Sequence, residues 1–484
     1  MNKEIRNLEP KAIWNNFADL NAVPRASKKE ERVIQFMVDF GKKLDLPTKV
    51  DKVGNVIITK PATKGMENRK TVVLQSHLDM VHQKNNDTNF DFDTQGIEMQ
   101  IDGDWVKAKD TTLGADNGLG VATIMSILES TDIAHPALEA LFTIDEETGM
   151  TGAMGLEAGW LEGEILLNLD TEDDDEIGVG CAGGIDITAT KSYNPVKTQE
   201  QAEAFKITVK GLQGGHSGMD IHRGFGNANK LMNRVLFALK NMVSIAEIDG
   251  GGLRNAIPRE SNAIIVTQNK AEFTNRFTDI ADAIIAEYNT IEKDIEITVQ
   301  PCDKPANVLS KQEQATLLKT IYAVHNGVFR MSPDIADLVE TSNNVARVLV
   351  KEGQIKILCL TRSSVASGKN NLVNTISAVF QLAHYSVKTS GAYPGWKPNP
   401  DSAILKVLDK TYQNLFKEKA NIIACHAGLE CGILGQNYPD MDMISFGPTI
   451  KGAHSPDERA SISSTQKFWK YIQEILKEIP QKKA

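Results

Sequence analysis

Two histidines and five carboxylates fall where apolar runs end. His77 and Asp79 stand in VVLQSHLDM, Asp116 in TTLGADNGLG, and Glu146 and Glu147 in LFTIDEETGMTGA. Asp170 ends ILLNLD, and His454 lies in the Gly- and Pro-bearing stretch SFGPTIKGAHSPDER. Taken singly, each is ordinary: an Asp before a helix is a routine cap, and adjacent acids after a strand are usually a solvated turn. As a set they carry more weight. In an extended segment residues i and i+2 share a side, so His77 and Asp79 can face one site. A carboxylate is a common partner for the second ring nitrogen of a ligating histidine. Glycines 114, 118 and 120 around Asp116 allow close backbone approach, which a bare cap does not require. Two histidines with three carboxylates suit a pair of divalent cations, zinc being the best match to imidazole and carboxylate together, with Mn(2+) or Co(2+) as alternatives. One carboxylate must then bridge, and another must stay off the metals as a base. Bound zinc lowers the pKa of water to about 7, and a base takes the proton during attack.

Other chemistries lack their motifs. There is no phosphate-binding G-x-x-x-x-G-K-[ST] and no H-E-x-x-H, and Ser217, after His216, is not in a G-x-S-x-G elbow. Lys plus Arg is 53 against 63 for Asp plus Glu, a net charge of −10 over 484 residues, which argues against a general nucleic-acid binder. A hydrophobic share of 41% with 24% charged residues is a globular balance. No apolar run is long enough to span a membrane. The start, MNKEIRNLEPKAIWNNF, has charges where a signal peptide needs an apolar core, so a cytoplasmic protein without membrane contact is expected. The five cysteines are odd in number and scattered, as suits reduced thiols better than a disulfide framework; Cys425 and Cys431 read as core thiols. The acids from Glu172 to Glu176 read as solvated surface.

These residues must be positioned by strands and helices. Residues 28–44 have helical apolar spacing, 53–60 and 71–79 read as strands, and 113–129 starts as a Gly-rich loop and becomes a helix. The runs 138–145 and 163–170 are β-favouring and stop at an acid. Strands separated by helices predict an α/β sheet covered on both faces, with ligands beyond the carboxyl ends of the strands. Polar, proline-bearing stretches at 191–204 and 390–402 read as linkers. The expected layout is an α/β catalytic domain in two pieces, 1–188 and 390–484, with an inserted α+β domain over 189–389.

The stretches GDWVKAKDTTLGADNGLG, LFTIDEETGMTGA, ILLNLDTED, GGHSGMDIH, CHAGLECG and FGPTIKGAHSPDER resemble the co-catalytic di-zinc exopeptidases, the family that includes glutamate carboxypeptidase, peptidase T and aminoacylase. Within it the likeness is greatest to the aminoacyl-histidine dipeptidase subgroup, and it runs along nearly the whole chain. The resemblance implies that His77 and Asp170 hold one metal, that Glu147 and His454 hold the other, and that Asp116 bridges them, with a cis peptide to Asn117. It implies that Asp79 orients the His77 ring and that Glu146 is the general base. The inserted domain would be a lid and dimerisation domain. His216 would polarise the scissile carbonyl, in its own subunit or across a homodimer. Asn255, Arg362 and Gly428 would contact substrate, Arg362 through the terminal carboxylate. The implied activity is hydrolysis of Xaa-His dipeptides, β-alanyl-histidine among them, with zinc. An aminotripeptidase, an N-acyl amino acid deacylase and a non-catalytic metal-binding scaffold are the alternatives.

Overall fold

The computed structural model describes residues 2–85 and 87–482. The chain divides into two compact units: Met1–Gly180 with Pro398–Ala424 and Leu429–Ala484, and Cys181–Lys397 with Cys425–Gly428. The proline-bearing stretch after Ser192 is not where the chain changes unit. The strand Gly183–Ser192 pairs with Gln354–Ser363 and Ser386–Tyr393, and Val196–Lys197 pairs with Asn307–Val308, all inside the second unit.

The first unit is built on a mixed sheet. Val72–His77 runs parallel to Leu138–Thr143 on one side and to Ile165–Asn168 on the other. Asp442–Ser445 continues the parallel set beside Ile165–Asn168, and Val56–Lys60 adds antiparallel to Leu138–Thr143. Every residue of the three central strands is buried, the mark of parallel strands covered on both faces. Their sequences are mostly Val, Leu, Ile, Ala and Phe, although Val72–His77 also buries Gln75 and Ser76 and Leu138–Thr143 buries Glu139.

The helix Ala115–Glu129 packs against Val72–His77 and against the helix Lys11–Leu20. From Asn117 to Leu128 it is buried all round, which its uniformly apolar and small residues allow. At its start Asp116 and Asn117 leave helical geometry, and the peptide between them is cis. A four-stranded antiparallel sheet, Ile450–Lys451, Arg459–Ser461, Trp105–Ala108 and Met99–Asp102 in that order, frames the loop that carries His454. Cys431 is buried as a core thiol should be, but Cys425 is half-exposed at the end of its strand.

The second unit is α+β. Its nine-stranded sheet is antiparallel throughout, with Val339–Lys351 and Gln354–Ser363 as a long central hairpin. The helices Ala228–Ala238, Lys270–Tyr288 and Lys311–Ala323 begin at Asn227, Asn269 and Ser310, whose side chains accept from the first-turn N–H groups. Together with Ala366–Leu382 they cover one core, around Leu236, Ile265, Phe273, Leu318 and Phe380. Among the described residues no helix is long and apolar enough to cross a membrane.

Candidate metal centre

Five of the seven chemistry-bearing residues of the first unit sit at or just beyond the carboxyl ends of the parallel strands. His77 is the last residue of its strand, Glu146 and Glu147 follow Leu138–Thr143, and Asp170 follows Ile165–Asn168. The strand stops at His77, so Asp79 reaches back from the turn rather than from an extended i+2 position. His77 Nδ1 lies 3.1 Å from the Asp79 carbonyl oxygen and 3.4 Å from Asp79 Oδ1. With Nδ1 donating, Nε2 presents its lone pair to the other side, 3.2 Å from Asp116 Oδ1 and 3.5 Å from Asp170 Oδ1.

Asp116 has a second face. Its Oδ2 is 3.1 Å from His454 Nε2, which is in turn 2.9 Å from Glu147 Oε2. Ligand-type atoms of His77, Asp116 and Asp170 lie within 4.8 Å of one another, and so do those of Asp116, Glu147 and His454. Two clusters therefore share one carboxylate. Glu146 is close enough to join His77 and Glu147 in a further such group. A fourth, Glu30 with Asp79 and Asp145, is internally satisfied: Glu30 accepts the Asp145 N–H, and Asp145 accepts the hydroxyls of Thr148 and Thr151.

The electrostatics of the first two clusters call for cations. Burial raises the Asp170 carboxyl to about 6, helped by the charges of Asp116 and Glu147 and opposed by His77. Burial likewise lifts Glu146 well above the usual carboxylate range; His77 opposes this, and Asp170, Glu430 and Glu147 add to it. His454, hydrogen-bonded to Asp116 and Glu147, is raised to about 11. Burial disfavours a charged His77 ring, yet the carboxylates around it push its pKa well above the ordinary value. The carboxylates around the two imidazoles thus favour positive charge at both clusters. Glu147 Oε1 is buried and, among the described residues, has no hydrogen-bond partner, although such atoms are normally satisfied. An orphaned carboxylate oxygen within a His-and-carboxylate donor set fits divalent metal.

The supporting contacts are largely ones that sequence reading missed. Asp79 accepts the Ser27 hydroxyl at 2.7 Å and the backbone N–H groups of Glu146 and Glu147 at 3.1 and 3.3 Å. Burial opposes its ionisation, but these donors and His77 outweigh it and hold the carboxyl at about 2. Glu458, buried, accepts four consecutive N–H groups, those of Leu113, Gly114, Ala115 and Asp116, at 2.7, 2.9, 2.7 and 3.2 Å. Fully buried Arg25 donates to the carbonyls of Leu78, Asp79 and Gly114, tying the His77 turn to the Asp116 turn. Glu430 accepts from Gln75 and Thr143, each at 2.6 Å, and burial raises it to about 7. Its place in CHAGLECG and that of Glu458 four residues after His454 were the available signals.

In the second unit a separate group forms. Arg362, 4% exposed, donates to Tyr393 Oη at 2.7 Å and lies 3.3 Å from His216 Nε2. His216 Nδ1 accepts the N–H groups of Met219 and Gly218 at 3.0 and 3.3 Å. Burial, with the Arg362 charge, lowers that ring to about 4. Asn255 is exposed, and its carbonyl accepts the Ser217 N–H at 2.7 Å beside the His216–Ala256 bridge. Gly428 is half-buried in the short Cys425–Gly428 segment. That segment also brings His426, buried and 2.8 Å from Ser342 Oγ.

The profile of peptidase family M20/M25/M40 matches residues 73–478. The cytosol non-specific dipeptidase of Escherichia coli K12 is 44% identical over 486 aligned positions, which cover 99% of this chain and 100% of that protein. The crystal structure of an aminoacylhistidine dipeptidase from Vibrio alginolyticus superposes with a TM-score of 0.93 at 44% identity, covering 99% of each chain. The aminopeptidase PepT of Bacillus cereus shares the fold at a TM-score of 0.58 and 15% identity, over 98% of this chain and 99% of that one. Sequence identity sustained along the whole length, on a fold that carries the paired clusters at its strand ends, makes this chain a member of peptidase family M20/M25/M40 and a hydrolase.

Proposed function

We propose that the protein is a cytoplasmic dipeptidase that hydrolyses Xaa-His dipeptides, β-alanyl-histidine included, with two divalent cations, zinc by ligand type. The observation that carries the reading is the two-sided Asp116, whose Oδ1 is 3.2 Å from His77 Nε2 and whose Oδ2 is 3.1 Å from His454 Nε2. His77 and Asp170 would hold one cation, Glu147 and His454 the other, and Asp116 would join both. The full-length likeness to the two dipeptidases supports the substrate class. When bound, the cations make water acidic enough to attack at neutral pH and polarise the carbonyl.

The chain's own residues supply the rest. Glu146 takes the proton of the attacking water on its carboxylate and returns it to the leaving amine, the relay a general base supplies. Asp79 fixes the His77 ring and, through the Glu146 N–H, the loop of the base. His216, whose ring burial and the Arg362 charge keep neutral, would polarise the carbonyl that gains negative charge. Arg362 is a buried guanidinium without a carboxylate partner among the described residues, an expensive arrangement that the substrate's terminal carboxylate would relieve. Asn255 and Gly428 complete the substrate contacts. The second unit acts as the lid and carries the contact of a homodimer.

Metal analysis combined with a panel of X-His and X-Gly dipeptides, tripeptides and N-acyl amino acids, with and without a chelator, tests this. Metal-dependent hydrolysis strongest on X-His is expected. Activity that survives proven metal removal sinks the two-cation reading, and preference for tripeptides or N-acyl amino acids sinks the substrate.

A further inference from the structure

A cleft of about 870 Å³ lies wholly within the second unit, in the size range of pockets for small organic ligands. None of the candidate catalytic, metal or substrate residues lines it. Val196, Phe237 and Met242 give it an apolar wall, and Lys197, Lys240, Lys311 and Lys319 give it positive charge. Four lysines in one cleft run against the trend of a chain whose net charge is −10.

Nearby acids offset them only in part. Glu272, the one acid in the lining, accepts the Asn269 side-chain amide at 2.8 Å. Glu313 pairs with Lys191 at 2.9 Å and Glu203 with Lys270 at 3.3 Å. Two helices, Lys270–Tyr288 and Lys311–Ala323, start at the cleft, and their partial positive ends add to the field. Lys240 Nζ lies over the Phe237 ring, 3.7 Å from its centroid, which keeps one ammonium against the wall.

Part of the uncharged polar lining is already used. Gln314 accepts the Ile245 N–H and donates to the carbonyls of Lys240 and Val243, and Thr267 donates to the Met242 carbonyl. What is left open is apolar surface at Val196, Phe237 and Met242 beside ammonium groups. We propose that this cleft is a binding site for a small amphipathic anion, a carboxylate, sulfate or phosphate ester with an alkyl or aryl body. The body covers Val196, Phe237 and Met242, and the head meets the lysines.

Calorimetric titration of the full chain tests the proposal with three probes: decanoate, decyltrimethylammonium and inorganic phosphate. Decanoate is expected to bind one to one, more weakly as salt is raised; the cationic amphiphile and the bare anion are not. Reversing two charges in the double variant Lys240→Glu, Lys319→Glu should weaken decanoate by about tenfold or more. Ser244→Phe fills the cleft without altering charge and should abolish binding. Dipeptide turnover, read in parallel, should be unchanged in both variants. Equal binding of the cationic amphiphile overturns the proposal. So does decanoate affinity that ignores both variants, or that vanishes instead in Arg362→Lys.

Discussion

Glu458 Oε1 accepts the Asp116 N–H at 3.2 Å, so the acid that faces both histidines is held by an acid that faces neither. The same carboxylate gathers three further N–H groups of that turn. Glu458→Ala leaves four buried donors unpaired. At about 1–3 kcal/mol for each unsatisfied group, with partial recovery by water, a loss of several kcal/mol is expected in denaturant unfolding, together with weaker metal retention. Glu458→Gln should fall between, because its amide can accept on only one side. Unchanged stability in the alanine variant contradicts the assignment.

As the proposed base, Glu146 would move a proton rather than hold the fold. Glu146→Gln should retain metal and lose turnover by about 10²–10⁴-fold, the usual contribution of a general acid–base group. Steady-state kinetics beside metal content decide it: near-normal hydrolysis by the loaded variant removes Glu146 from the base role.

Arg362 predicts a carboxylate-dependent split. Wild-type enzyme should prefer dipeptides with a free C-terminus over their amides. Arg362→Lys should raise KM on the free acids by about 10–100-fold, the 1.5–3 kcal/mol of hydrogen bonds to a charged group, and narrow the preference. A preference that survives the substitution assigns the carboxylate to another residue.

His426 sets a pH dependence within the second unit. Burial, aided by the charges of Arg362, His216 and His222, lowers its folded pKa to about 3 from the ordinary 6.5. Below 6.5 the unfolded chain takes up a proton that the folded ring refuses, so stability falls as pH drops from 6.5 towards about 3. The slope is at most about 1.4 kcal/mol per pH unit. Urea unfolding between pH 7 and pH 4 should show this slope, and His426→Asn should flatten it.

Metal binding should release protons. His454 is raised to about 11 by Asp116 and Glu147, and a cation must displace that proton. Affinity should therefore rise with pH, and titrations in buffers of different ionisation enthalpy should give different apparent heats. Identical heats in all buffers contradict this.

The acids at strand ends were legible because a carboxylate directly after a wholly apolar run breaks the pattern on which a buried strand is built. Asp170 was readable in nearly this way, and the central sheet with it, while His77 and Glu146 were readable from their place at or just beyond the ends of largely apolar runs. Glu458 and Arg25 were not, since both act on backbone groups far along the chain. An N–H partner carries no side-chain signature, and neither residue sits in a period of its own. Glu430 was hidden inside a motif whose glycine drew the attention. The boundary was misplaced for a related reason. Polar, proline-bearing sequence reads as a linker, yet Val196–Lys197 is a paired edge strand, and exposed edges are where polar residues and proline belong.

The loop between Ile450–Lys451 and Arg459–Ser461 has a consequence in time. It brings both His454 and Glu458 to residues encoded more than 300 positions earlier. During synthesis the three central parallel strands and the helix that starts at Ala115 emerge first, with His77, Asp116, Glu147 and Asp170 already available. Until the late loop arrives, the Asp116 turn lacks its clamp and the second cluster lacks its imidazole. A nascent chain is therefore a half-finished hydrolase, and competence arrives in a single late step.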